Sequence, residues 1–114
     1  MLAVDDSVLE PMVLAAQRGE ACAWRELLER CAPMLHASPQ SYRPPGWPRC
    51  PDIDPDDFRY QLQVILFELV TKYDPTRSAS VGAYLAVHFR QRAQNYLRHI
   101  ARRQMHSVSL DGPI

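Results

Sequence analysis

Six of the chain's ten prolines fall between Pro39 and Pro55, and that crowding divides the sequence. Pro39, Pro44, Pro45, Pro48, Pro51 and Pro55, with Gly46 among them, remove backbone donors and restrict φ too often for a helix or a sheet to cross residues 37–55. Helical patterns therefore have to form on either side of a connector. The composition is that of a mobile link, with Tyr42 and Trp47 as the two aromatics available to pin it to the body.

At 114 residues the chain is one domain with a small core. An apolar content of 46% excludes wholesale disorder, and no apolar run approaches the roughly 20 residues that span a bilayer. The first ten residues carry Asp5, Asp6 and Glu10 in place of a positive signal-peptide segment, so a cytoplasmic location is expected. Cys22, Cys31 and Cys50 are too few, and odd in number, for a disulfide framework. Reduced thiols are expected, Cys22 and Cys31 largely in the core. No Cys-x-x-Cys pair supports a zinc site, and no metal or cofactor is expected.

The fold class expected is all-α, a small bundle of about four helices. A first helix, about Val8 to Arg18, takes its cap from Asp5, Asp6 or Ser7, tolerates Pro11 in its first turn and ends at Gly19. Val8, Met12 and Ala15 make its stripe, with Leu9 and Ala16 alongside. A second runs from about Glu20 to His36, with Trp24, Leu27, Leu28, Cys31 and Leu35 facing the core, and Pro33 kinking or restarting it. Asp54-Pro55 opens a third, with Asp56 and Asp57 at its positive end, reaching about Tyr73. This helix is apolar on two sides: Phe58, Leu62, Ile65 and Leu69 on one, Tyr60, Val64, Phe67 and Thr71 on the other. Such a helix is either central to a core or shared between a core and a partner, and so small a domain suits the second as well as the first.

After a turn that Pro75 starts and Ser78 or Ser80 closes, no glycine or proline interrupts positions 83–106. Leu85, Phe89, Ala93, Tyr96 or Leu97, and Ile100 form the core stripe of a long fourth helix. Tyr84, His88, Gln91, Asn95, Arg98 and Arg102 recur on its other side. Ser107 to Ile114 is turn chemistry, expected to be irregular. Charge is distributed unevenly. Ahead of Lys72 six arginines face eleven acids; from Lys72 to His106 seven basic residues face Asp74 alone. A clustered basic helix is a footprint for a polyanion, most often nucleic acid. Its arginines suit phosphates, its Gln and Asn suit base edges, and a tyrosine suits stacking on an unpaired base.

Ala16-Gln17-Arg18-Gly19-Glu20-Ala21-Cys22-Ala23-Trp24-Arg25-Glu26-Leu27-Leu28 resembles the opening helices of bacterial RNA polymerase sigma factors, with their A-x-x-G-(D/E)-x-x-A-(F/W)-x-x-L pattern. Asp56-Asp57-Phe58 with Tyr60-Gln61-Leu62 is similar to that family's acidic-pair helix. Tyr73-Asp74-Pro75 and Ser80-Val81-Gly82-Ala83-Tyr84-Leu85 are similar to its YDP passage. Arg90-Gln91 stands where an Arg-Gln pair is usual, and Ser109-Leu110-Asp111-Gly112-Pro113 looks like the SLD-x-P that follows.

The resemblance implies a sigma region 2 domain over residues 1–106, with 37–55 as an insert and 107–114 as the start of a linker or tail. Such a domain binds the clamp coiled coil of core RNA polymerase and recognises and melts the minus-ten promoter element in transcription initiation. It implies polymerase contacts at Asp57, Tyr60, Gln61 and Val64, with Phe67 on the same face. It implies promoter contacts at Val81, Tyr84, Val87, His88, Arg90 and Gln91; the basic face adds Asn95, Arg98 and Arg102. Tyr60-Gln61 stands where housekeeping members carry Gln-Glu. Val81 replaces a Phe, and Val87-His88 replaces a Trp-Trp pair that wedges the duplex open, which implies weaker or more promoter-specific opening. No helix-turn-helix domain follows in this sequence. Two alternatives stay open, an excised domain and a stand-alone protein whose missing promoter-reading domain a separate partner supplies. An anti-sigma factor is a further possible partner. The rival class is a sigma-like regulatory or decoy module that binds polymerase or a partner sigma protein without opening DNA. An enzyme is not expected: His36, His88, His99 and His106 lie in no metal-ligand or triad spacing, and no Gly-rich phosphate loop exists.

Overall fold

A computed structural model of the chain describes the backbone of residues 6–77 and 80–111 and the side chains of residues 6–77 and 80–105. These residues form α1 (Asp6–Gln17), α2 (Ala21–Arg30), α3 (Ala32–Leu35), a 3₁₀ turn (Pro39–Tyr42), α4 (Pro55–Lys72) and α5 (Val81–Asp111), with no strand among them. The all-α bundle is as expected, with five helices because the expected second helix is two. The chain breaks at Cys31, whose φ of −92° and ψ of 6° lie outside the helix, and restarts with Pro33 in the first turn of α3.

Gly19, at φ +88°, ends α1. The buried stripe of α1 is Leu9, Met12, Val13 and Ala16. Val8, expected in that stripe, is 44% exposed. Leu27, Cys31 and Leu35 are buried as expected, whereas Leu28 lies at the surface. Cys22, expected in the core, is exposed. It stands nine residues from Cys31, about half a turn round a helix of that pitch.

In α4 the cap is the expected one. Asp54 Oδ1 accepts from the backbone N–H of Asp56 at 2.8 Å and of Asp57 at 3.3 Å. Phe58, Leu62, Ile65, Leu66, Leu69 and Val70 are buried. The last carbonyls of α4 are satisfied from α1: Gln17 Nε2 donates to the carbonyls of Val70 at 2.9 Å and Tyr73 at 2.8 Å. This meets the unpaired carbonyls that every helix end leaves.

The start of α5 is likewise held from α1. Ser80 Oγ accepts from Ala83 N–H at 3.2 Å, the expected serine cap, and donates to Asp6 Oδ2. Gly82 N–H donates to Asp6 Oδ1 at 3.1 Å. Asp6 was one of three residues expected to cap its own helix; its carboxylate instead sits on the positive end of α5. Gly82 makes the approach possible, since a Cβ there would lie 2.7 Å from Asp6 Oδ1. Val81, Leu85, Phe89, Ala93 and Leu97 are buried, and Ile100 is half-buried. The helix runs on to Asp111 where an irregular tail was expected, because nothing between Ser107 and Asp111 breaks it. Asp5, Ser78 and Gly112-Pro113-Ile114, invoked above for caps and linker, lie outside the described residues.

The proline-rich connector is seated, not free. Tyr42 is 7% exposed, its ring 6.1 Å from Phe58 and 5.9 Å from Phe89. Its hydroxyl donates to the Met34 carbonyl at 2.8 Å. Burying such a ring contributes about 2–3 kcal/mol, enough to hold a segment that has no helix of its own. Burial pushes the Tyr42 phenol up to about 12, although nearby Arg90 opposes this. Among the described residues, no helix is long and apolar enough to cross a membrane.

Candidate nucleic-acid interface

The side of α5 turned from the core is continuous. Val87, His88, Arg90, Gln91, Asn95 and Arg102 are exposed, and Arg98 is half-buried with its Nη1 donating to Asn95 Oδ1 at 3.0 Å. One helix therefore presents every residue expected to face DNA except two. Val81 is fully buried and belongs to the core. Tyr84 is half-buried. Its hydroxyl donates to the Leu69 carbonyl at 2.9 Å, and its ring lies 5.3 Å from Tyr73 and 4.9 Å from His88. Burial raises its phenol above the ordinary range. A ring so engaged ties α5 to α4, and it is not free to stack on a base in this conformation.

The charges on this side are largely uncompensated. Arg92 pairs with Glu68 of α4, and Arg77 with Asp74. Among the described residues, no carboxylate lies within ion-pair distance of Arg90, Arg98, Arg102 or Arg103 on α5, or of Arg43 and Arg49 on the connector. Guanidinium groups without a direct carboxylate partner remain available to a polyanion.

A second surface lies on α4. Tyr60 and Phe67 are 68% and 55% exposed, and Val64 is half-buried between them. Trp24 of α2 stacks on Phe67 with ring centroids 5.2 Å apart. Trp24 was expected in the core; it is a half-buried plate that extends this apolar face across two helices. The expected polymerase residues Asp57, Tyr60, Gln61, Val64 and Phe67 thus share one stretch of α4, all exposed except Gln61 and Val64, which are half-buried.

The two surfaces meet in a groove of about 1200 Å³ between the start of α4 and the second half of α5. Asp57, Tyr60 and Gln61 line it from one side, Tyr96, His99, Ile100, Arg102 and Arg103 from the other. Tyr96 is raised by burial and by the nearby Asp57 carboxylate, with Arg103 opposing. His99 and Arg103 are additions to the expected set. The spacing of Tyr96, His99, Ile100 and Arg103, at i, i+3, i+4 and i+7, carried that signal. Among the described residues no group of three or more His, Cys, Asp or Glu is placed to hold a metal ion.

Neither the family models, nor the curated proteins, nor the solved structures compared with this chain give a match. The geometry of the two faces is what a functional reading has to stand on.

Proposed function

We propose that the chain is a sigma-factor region 2 domain, which binds core RNA polymerase through α4 and the minus-ten promoter element through α5. The observation that carries this reading is the exposed side of α5, where unpaired arginines alternate with Gln91 and Asn95. Arginines supply phosphate affinity, and amides at that spacing suit base edges. The ordered motifs in the sequence supply the family, and the exposed Tyr60 and Phe67 supply a surface for polymerase.

The test is binding of fluorescently labelled protein to core RNA polymerase, followed by permanganate footprinting of thymines on promoter DNA. Tyr60→Ala with Phe67→Ala should weaken core binding at least tenfold while leaving the fold intact, because neither ring belongs to the buried core. Failure of the unaltered protein to bind core polymerase at all would sink the reading.

One observation favours a second reading, a module that occupies polymerase without opening DNA. Tyr84, the ring expected to capture an unstacked base, is engaged with Leu69, Tyr73 and His88. Under this reading the protein binds core and competes with another sigma protein, and no thymine becomes permanganate-reactive.

A further inference from the structure

The connector hydrogen-bonds to α5 at two places. Arg90 Nη1 donates to the Ser41 carbonyl at 3.5 Å, and Gln104 Nε2 donates to the Asp52 carbonyl at 2.6 Å. Those two α5 residues are separated by about 21 Å along the helix axis at 1.5 Å per residue. Between the anchored points the connector carries Arg43 and Arg49, both exposed, and no acid before Asp52. Arg43 Nη1 donates to the Pro48 carbonyl at 3.2 Å, which folds the segment on itself while leaving the cation without a carboxylate. Tyr42, next in sequence to Arg43, packs on Phe89 and feels the charge of Arg90. The connector's first cation therefore follows directly on a residue packed beside Arg90, the first cation of the α5 face.

We propose that the proline-rich connector is part of the nucleic-acid interface, with Arg43 and Arg49 forming a second line of phosphate contacts beside α5. This rests on the reading of α5 as a DNA-binding face and extends it to a segment outside the resemblance. Physically the arrangement is economical. Six prolines limit what the connector loses in conformational entropy on binding, and Tyr42 has already fixed its position. The charge it presents is preorganised rather than recruited.

The experiment measures the salt dependence of binding to an AT-rich duplex and to its single strand. Four proteins are compared: the unaltered chain, Arg43→Ala with Arg49→Ala, Arg43→Lys with Arg49→Lys, and Arg98→Ala with Arg102→Ala. Two lost phosphate contacts should lower the slope of log K against log salt by about 1.8 on duplex or about 1.4 on single strand. Affinity lost between about 50 and 200 mM salt should then shrink by roughly tenfold on duplex. The lysine pair should keep the slope, because it keeps both charges while giving up the Arg43–Pro48 geometry. An unchanged slope in the connector alanine variant, with a reduced slope in the α5 variant, overturns this inference and leaves the α5 reading standing. Equal slopes in all four overturn both. A slope lowered equally by the lysine and alanine pairs would assign the effect to loop geometry, and it also rejects the phosphate role.

Discussion

Asp6 and Gly82 are 76 residues apart and meet at the start of α5. Replacing Asp6 with Ala removes the acceptor for Ser80 Oγ–H and for Gly82 N–H, together with a negative charge at a positive helix end. Loss of a capping acceptor costs about 1 kcal/mol, and loss of the favourable charge about 0.3–1 kcal/mol. Asp6→Ala should therefore destabilise by about 1.5–2 kcal/mol. Gly82→Ala carries opposing effects. Its Cβ would stand 2.7 Å from Asp6 Oδ1 and displace the carboxylate, yet alanine favours helix over glycine by about 0.5–1 kcal/mol. In the unaltered chain the displacement wins and the variant loses stability. In the Asp6→Ala background nothing is left to displace, and Gly82→Ala should stabilise by about 0.5 kcal/mol. The double-mutant cycle should thus show a coupling of at least about 1 kcal/mol. Urea titration followed by far-ultraviolet circular dichroism at constant m measures it, and thermal midpoints should move by about 4 °C per kcal/mol. If the two substitutions add within about 0.3 kcal/mol, the Asp6 latch contributes nothing to the start of α5.

Tyr84→Phe should cost about 1 kcal/mol by stranding the Leu69 carbonyl, seen as a lower urea midpoint; an unchanged midpoint would mean the hydroxyl bond is replaced by water. Alkaline pH should destabilise through buried neutral groups. Burial pushes the Cys31 thiol up to about 11 and the Tyr42 phenol up to about 12. Both groups ionise earlier in the unfolded chain, so their contribution is complete below the ordinary thiol range and is lost as pH rises through these values. Thermal midpoints should therefore fall steadily across roughly pH 9 to 12, and Tyr42→Phe should remove the upper part of that fall.

How much of this was legible in the sequence depends on how far each cause lies along the chain. α4 was readable because its cap, its first proline and its buried stripe all lie within eighteen residues. The core side of α5 was readable from Leu85 to Ile100 for the same reason. In α1 the buried residues Leu9, Met12 and Ala16 were among those named, whereas Val13 was not and Val8 and Ala15 lie outside the buried stripe, because two apolar rows run side by side there. Cys22 was misplaced by residue type when its angle relative to Cys31 put it outside. Tyr42 lay beyond any local pattern, since only Phe58 and Phe89 explain its burial. Asp6 was one of three candidate caps for the first helix, but the helix its carboxylate serves begins at Val81. Most of the α5 surface followed from periodicity, whereas the engagement of Tyr84 and the groove with Asp57 depend on how α4 and α5 pair.

Gln17 and Asp6 stand at opposite ends of α1, one finishing α4 and the other starting α5. That arrangement limits how the domain can be cut. A fragment carrying only α4 and α5 would keep the residues those two helices give to the exposed faces, yet it would lose the carbonyl partners at one helix end and the carboxylate at the other. The paired helices are therefore not a transplantable module. A minimal version of this interface has to begin no later than Asp6, and a graft of the two paired helices onto another scaffold needs an acid and an amide supplied from outside the pair.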